Sequence, residues 1–171
     1  MPFTLELFEP KWTDQVVDIW SDGWHEAHAA LVPSELTALR TKNSFRDRVI
    51  EHAAITRVAV AEGKALGFCM VRADELYQMY VSPAARGTGI APALIQDGED
   101  RARANGHGLI WLGCAIGNDR AARFYQKSGW TNAGRRTIEL DTSEGLFPIE
   151  LWRFEKDLTK VRASDENLKH L

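Results

Sequence analysis

The chain has 171 residues, 44% of them hydrophobic and 26% charged, which fits one globular domain with a sizeable core. Its net charge of -3 gives no general attraction to nucleic acid or to anionic membranes, and no segment reaches the ~20 apolar residues of a membrane-spanning helix. The N-terminus lacks a secretion signal, and the two cysteines, Cys69 and Cys114, belong to no metal-binding pattern. We therefore expect a soluble, cytoplasmic protein with one domain over residues 1–158 and a polar tail over 159–171.

The first third of the chain predicts one strand followed by helices. Apolar and polar residues alternate from Phe3 to Phe8, as in a half-buried strand. From Trp12 to near Pro33 the apolar residues recur every three or four positions, which predicts a helix with one buried face. Shorter helical patterns follow at 34–39 and 44–52.

The rest of the chain alternates strands with helices. Three consecutive strands are predicted in "TRVAVAEG", "KALGFCMVRA" and "ELYQMYVSP", and a helix follows from about 90 to 105. The remaining predicted elements are the strand "GLIWLGCAIG", the helix "NDRAARFYQKSG" and the strands "WTNAGRRTIEL" and "LFPIELWRFEK". This order predicts a mixed α/β layer structure, in which ligands bind at the carboxyl ends of the central strands.

A glycine-rich turn follows the strand "ELYQMYVSP". The segment "SPAARGTGIAPAL", residues 82–94, contains Gly87 and Gly89 and runs directly into a predicted helix. Unpaired N–H groups and the positive end of the helix dipole make such a turn a site for a phosphate-like anion. A tight loop in which the glycines only supply positive φ is the other interpretation of the pattern.

Two common phosphate-binding motifs do not fit this turn. A P-loop requires a Gly-Lys pair, and none follows Gly87, which argues against nucleoside triphosphate chemistry. A dinucleotide fingerprint requires a third glycine where Pro92 stands and a strand-helix-strand unit at the N-terminus. Neither motif accounts for the turn.

Two segments together resemble the GNAT superfamily of acyl-CoA N-acyltransferases. They are the Arg-x-x-Gly-x-Ala pattern at 86–91, between a strand and a helix, and "NDRAARFYQKSGW" about thirty residues later. The resemblance extends from the strand around Val58 to about Trp152. It implies a mixed, mostly antiparallel central sheet flanked by helices, with two central strands splayed apart, and the transfer of an acyl group from acetyl-CoA.

The resemblance also implies a set of cofactor-binding residues. The backbone N–H groups of the glycine turn would wrap the pyrophosphate of coenzyme A, and the pantetheine arm would pair with a splayed strand. In the turn these residues are Arg86, Gly87, Thr88, Gly89, Ile90 and Ala91. In the strand and the later helix they are Met79, Tyr80, Val81, Asn118, Ala121 and Phe124.

Tyr125 and Glu75 are the predicted catalytic residues. Asn118 and Tyr125 are seven residues apart and share one helix face, and the resemblance implies that Tyr125 protonates the departing thiolate. A purely structural core aromatic is the alternative for Tyr125. An alkyl amine with a pKa of ~10.4 must lose a proton before it attacks. The resemblance implies Glu75 as the base, the alternatives being a water chain or an exposed strand-edge carboxylate without a catalytic role.

The segment "WHEAH", residues 24–28, contains two histidines and a glutamate near the end of the first predicted helix. Its His-x-x-His spacing differs from the His-Glu-x-x-His of zinc proteases, so we predict no metal site. In the resembled family the first helices cover the acceptor site, which makes His25, Glu26 and His28 candidates for recognising the amine or for an alternative base. A solvated helix face is the other interpretation.

The sequence as a whole predicts an N-acetyltransferase that moves an acetyl group from acetyl-CoA directly to a primary amine. A small-molecule acceptor is expected because the single compact domain has no peptide-directing extension or strongly charged face. Protein N-terminal or lysine acetylation, and a non-catalytic acyl-CoA-binding module, are the alternatives. We expect no nucleic-acid or membrane partner, and the resemblance leaves a homodimer open.

Overall fold

The computed structural model describes residues 2–160, which build one seven-stranded sheet in the order β1-β2-β3-β4-β5-β7-β6. The strands are β1 (Thr4–Leu7), β2 (Thr56–Ala61), β3 (Lys64–Arg72), β4 (Glu75–Val81), β5 (Leu109–Ala115), β6 (Thr131–Thr142) and β7 (Gly145–Asp157). All neighbouring pairs are antiparallel except β4 and β5, which run parallel. The predicted mixed, mostly antiparallel sheet is thereby confirmed.

Helices cover both faces of the sheet. Within the described part of the chain they are α1 (Thr13–His28), α2 (Ser34–Leu39), α3 (Lys42–Glu51), α4 (Ile90–Ala104) and α5 (Asp119–Lys127). The helix predicted to continue to near Pro33 ends earlier, at His28, and a turn replaces its last residues. No helix among residues 2–160 is long and apolar enough to cross a membrane.

The core consists of two apolar layers, one on each face of the sheet. One layer lies under α1 and α3 and is built around the fully buried Trp20, Phe45 and Phe68. The other lies under α4 and includes the fully buried Leu94 of that helix and Phe154 of the sheet. The apolar stripes of α1 and α4 thus hold these two helices on opposite faces of the same strands.

The central strands β4 and β5 are joined at one end and diverge from there. Their register contains a single pair, Glu75 with Trp111. Asp74 secures this end, because its carbonyl oxygen accepts the Trp111 backbone N–H at 3.0 Å and its carboxylate accepts the indole N–H at 3.2 Å. A register shift in β3 opposite the start of β4 interrupts regular pairing there. The predicted splay is therefore present, and it leaves unpaired backbone along β4.

The described residues end within the predicted polar tail. Of the segment 159–171, residues 161–171 lie outside the part of the chain that the structure describes. The single domain predicted over residues 1–158 stays a prediction.

Candidate active site

A cavity of about 920 Å³ opens between the splayed strands. Its walls come from β4, β5, the C-terminal half of α1, the glycine turn and the start of α5. The cavity therefore gathers segments that are more than ninety positions apart along the chain, from Gly23 to Tyr125.

The glycine turn forms one wall of the cavity. Gly87 and Gly89 have φ values of +78° and +87°, and a Cβ at either position would have no atom within 4 Å. Positive φ, and not crowding, is therefore what requires glycine here. Gly89 is the residue before α4, so the N–H groups of Ile90 and Ala91 lie in its first turn and have no intrahelical partner. This wall thus offers backbone donors at the positive end of a helix dipole.

Arg86 links the glycine turn to α1. Its Nη2 lies 3.3 Å from Oε1 and 3.4 Å from Oε2 of Glu26. Both residues line the cavity. The pair holds the guanidinium at the mouth of the turn and gives it an anionic partner that comes from another element.

Tyr125 lines the cavity from α5. Its ring packs against Trp130 and Phe154, with centroid distances of 6.0 and 5.7 Å. Burial raises the pKa of its hydroxyl well above the usual range, and neighbouring Cys114 adds to this effect, so the hydroxyl is protonated at neutral pH. None of residues 2–160 hydrogen-bonds this hydroxyl. The ring is thus part of the core while the hydroxyl keeps its proton free to donate.

The first turn of α5 is organised by Asn118. Its side-chain oxygen accepts the Ala121 backbone N–H at 3.3 Å and thereby caps the helix. Asn118, Ala121 and Phe124 all line the cavity, together with Tyr125. The spacing of seven positions thus places Asn118 and Tyr125 on the same side of α5, where both face the cavity.

The strand β4 forms another wall of the cavity and carries the residues predicted to contact the pantetheine arm. Met79, Tyr80 and Val81 line the cavity along the part of β4 that has diverged from β5. A strand with free backbone groups can pair with an extended ligand as it would pair with another strand. Tyr80 also packs against α1, where a Cβ on Gly23 would lie only 2.7 Å from the Tyr80 ring.

Glu75 lies at the joined end of β4 and β5, and it is not among the residues that line the cavity. Its Oε1 accepts hydrogen bonds from Arg72, at 3.0 Å from Nη2 and 3.3 Å from Nε. Burial raises the pKa of Glu75, and the Arg72 charge opposes that rise. The base role of Glu75 stays a prediction.

The polar residues of the segment 24–28, at the end of α1, lie in two different environments. Glu26 and His28 line the cavity, whereas Nε2 of His25 lies 2.9 Å from the carbonyl oxygen of Arg40. His28 Nδ1 lies 3.5 Å from the Tyr80 hydroxyl. Burial lowers the pKa of His28 to about 4, so the imidazole is neutral at neutral pH. Residues 2–160 contain no group of three or more His, Cys, Asp or Glu side chains placed to hold a metal ion.

Several polar residues near the cavity carried no sequence signal. The Tyr77 hydroxyl accepts a hydrogen bond from Arg48 Nη2 at 2.9 Å and donates to Asp141 Oδ2 at 3.0 Å. Arg40 Nη1 donates to the Asp141 carbonyl oxygen at 2.6 Å. These residues come from α3, β4, β6 and the segment after α2, and no local pattern relates them.

The sequence is similar to those of known acetyltransferases. The model of the acetyltransferase (GNAT) family matches residues 12–130. Proteins of Mycobacterium tuberculosis and Mycobacterium bovis, both named as uncharacterised N-acetyltransferases, are 32% identical over 120 residues, which are 65% of this chain and 77% of theirs.

Solved structures share the fold at lower sequence identity. A GCN5-related N-acetyltransferase from Rhodopseudomonas palustris superposes with a TM-score of 0.71 at 20% identity, over 92% of this chain and 96% of that one. A putative acetyltransferase from Salmonella typhimurium, solved with acetyl-CoA, gives a TM-score of 0.69 at 16% identity over 95% and 98%. Since the family model spans more than half of the sequence and agrees with the splayed sheet and the glycine turn, the chain belongs to the acetyltransferase (GNAT) family.

Proposed function

We propose that this protein transfers an acetyl group from acetyl-CoA directly to a primary amine of a small molecule. The observation that carries this proposal is one cavity that joins the glycine turn, the free backbone of β4 and the protonated Tyr125. The glycine turn provides an anion site, β4 provides a groove for an extended arm, and Tyr125 provides a proton donor.

The walls of the cavity fit acetyl-CoA. The N–H groups of Gly87, Gly89, Ile90 and Ala91, with the Arg86 guanidinium, would hold the pyrophosphate. The N–H of Thr88 donates to the Ala85 carbonyl oxygen at 3.3 Å, and Thr88 does not line the cavity. The backbone of β4 from Met79 to Val81 would pair with the amide groups of the pantetheine arm. Acetyl-CoA supplies an acetyl thioester. The Salmonella neighbour, whose fold is the same, was solved with this molecule.

The proposed transfer needs one proton donor and one proton acceptor. The amine nitrogen forms a bond to the acetyl carbon while the bond from that carbon to sulfur breaks. The sulfur leaves with the electron pair and takes the hydroxyl proton of Tyr125, which solvent then replaces. The backbone N–H groups of β4 stabilise the negative charge that develops on the acetyl oxygen.

We propose that Glu75 accepts the proton of the amine and that His28 orients the amine. Glu75 has a pKa above its usual value and lies beside Leu76, which lines the cavity, so it would accept the amine proton through water. His28 is neutral and lies in the wall itself, so its lone pair would accept a hydrogen bond from the amine and orient it. Orientation of the attacking nitrogen lowers the barrier without requiring a strong base.

A contact between two walls of the cavity supports a small acceptor. Leu31, just after α1, comes so close to the turn after β5 that a Cβ on Gly117 would lie 2.9 Å from Leu31 Cδ2. Both residues line the cavity, so two of its walls meet at this point. A protein substrate would need an open groove there.

The experiment that tests the proposal combines binding and turnover. Calorimetric titration with acetyl-CoA should show saturable binding, with ATP as a silent control, and a library of amines should release free thiol from acetyl-CoA. Binding without thiol release from any amine, unchanged in Tyr125→Phe, would identify a binding module instead of an enzyme. Absence of acetyl-CoA binding would contradict the proposal altogether.

A further inference from the structure

A cluster of three arginines lies beside the cavity. Arg40 and Arg48 are only 3% and 8% exposed, and Arg72 joins them through Asp141. The carboxylates that pair with the cluster, Asp141 and Glu75, both bond to Arg72. Three guanidinium groups therefore share two carboxylates, and the excess positive charge belongs to the buried pair.

The buried pair also has donors that the fold does not satisfy. Nε of Arg40 and both Nε and Nη1 of Arg48 are buried and have no hydrogen-bond partner among residues 2–160. Arg48 packs on Trp20, with its guanidinium carbon 4.3 Å from the ring centroid, but this contact uses the face of the guanidinium and not its N–H groups. Unpartnered donors on a buried charge are costly. An anion at the neighbouring cavity wall would offset the charge of the pair, although neither arginine lines the cavity.

The arginine cluster contacts residues of the cavity wall. Tyr77 lines the cavity, and its hydroxyl lies between Arg48 and Asp141. Arg40 lies close enough to His28, another wall residue, for its charge to contribute to the lowered pKa of that imidazole. Burial and the nearby Arg48 charge lower the pKa of Arg40 itself to about 10, so it remains a cation at neutral pH.

We propose that the acceptor amine of this enzyme carries a carboxylate, which binds at the wall formed by Tyr77 and His28, with Arg40 and Arg48 behind it. The charge of the buried pair attracts a carboxylate at this wall, and the Tyr77 hydroxyl would turn its proton from Asp141 to that carboxylate. The same positive field opposes a second ammonium group, so diamines are poor acceptors. This inference rests on the proposed N-acetyltransferase function and narrows its substrate to amino acids in the broad chemical sense.

The test uses acceptors matched in everything but charge. Each of several α- and ω-amino acids is paired with its carboxamide and with a diamine of equal length, and kcat/KM is expressed per unprotonated amine. For the best amino acid we expect kcat/KM about tenfold or more above that of its carboxamide, the size expected for one charge-assisted hydrogen bond. In Arg40→Gln and in Tyr77→Phe this ratio should fall toward one. In Arg136→Gln, which removes an exposed arginine of β6, it should stay unchanged.

The ratio does not depend on how much of a variant is folded, because both acceptors meet the same active enzyme. Equal rates for amino acids and carboxamides, or a preference for diamines, would overturn this inference while leaving the acetyltransferase proposal intact. A preference for amino acids that survives both cluster substitutions would place the carboxylate elsewhere and would also overturn it. If Arg40→Gln does not fold, Tyr77→Phe, which removes one oxygen, decides alone. Failure to acetylate any amine would instead contradict the proposed function.

Discussion

Arg86 of the glycine turn and Glu26 of α1 form an ion pair across the cavity, with 3.3 Å between Nη2 and Oε1. The same guanidinium is the proposed partner of the coenzyme A pyrophosphate. A carboxylate and a pyrophosphate compete for one set of N–H donors, so the pair opposes cofactor binding and links α1 to the turn.

The first prediction concerns this competition. Glu26→Gln should strengthen acetyl-CoA binding by about two- to fivefold, the modest size expected for a partly exposed ion pair. Calorimetry at low salt measures the effect. Asp22→Asn, one turn earlier on α1 and outside the cavity lining, makes the same charge change and should leave the affinity unaltered. Weaker binding in Glu26→Gln would show that Glu26 supports Arg86 instead of competing for it.

The second prediction tests the glycine turn. Gly89→Val should weaken acetyl-CoA binding by about tenfold or more, because a β-branched residue cannot keep a φ of +87° without strain and moves the N–H groups. Gly63→Val is the matched control, since Gly63 also has positive φ and open space, at +73°, but lies outside the cavity lining. Circular dichroism checks that both variants fold. Equal affinities in the two variants would contradict the anion site.

The third prediction separates catalysis from packing at Tyr125. Tyr125→Phe keeps the ring contacts with Trp130 and Phe154, so acetyl-CoA affinity and melting temperature should change little. Its kcat should fall about 10²-fold or more, the contribution typical of a positioned proton donor. Steady-state kinetics beside calorimetry checks this. Unchanged kcat would mean that water protonates the thiolate.

The fourth prediction distinguishes Glu75 from His28. Glu75→Gln should lower kcat most at low pH, where more of the amine is protonated and a base matters more. His28→Gln should raise the KM for the amine more than it lowers kcat, because His28 is proposed to orient the amine. The pH profiles of kcat and kcat/KM for both variants provide the measurement. A profile of Glu75→Gln parallel to that of the unsubstituted enzyme would remove Glu75 from the mechanism.

The fifth prediction follows from the buried neutral state of His28. Its pKa is lowered, so the unfolded chain takes up a proton below pH 6.5 while the folded protein does so only near pH 4. The free energy of unfolding should therefore fall as the pH falls through this window, by on the order of 1 to 3 kcal/mol for this group, and should be unaffected by it above pH 6.5. Urea unfolding at both ends of the window measures the loss. His107→Gln is the control, because it removes a histidine but keeps His28. Between pH 6.5 and 4, His28→Gln should lose less stability than this control, and equal losses would contradict a lowered pKa of His28.

Local sequence patterns are enough to predict the helices and strands and the residues proposed to bind acetyl-CoA. The alternation in β2 to β4, the apolar stripes of α1 and α4 and the glycines before α4 are local patterns, and local sterics and burial suffice to interpret them. Asn118 and Tyr125 share a face for the same reason, since the pitch of one helix sets their relation. The apolar spacing continues into the turn after His28, so the sequence predicts a longer α1 than the structure contains.

The surroundings of the proposed acceptor site depend on the tertiary structure. Glu26 meets Arg86 from 60 positions away, and Arg40 meets Asp141 from 101 positions away. Arg72, which pairs locally with Glu75, meets Asp141 from 69 positions away. Charges brought together by chain folding leave no periodic trace along the sequence, because their partners are set by the packing of whole helices and strands.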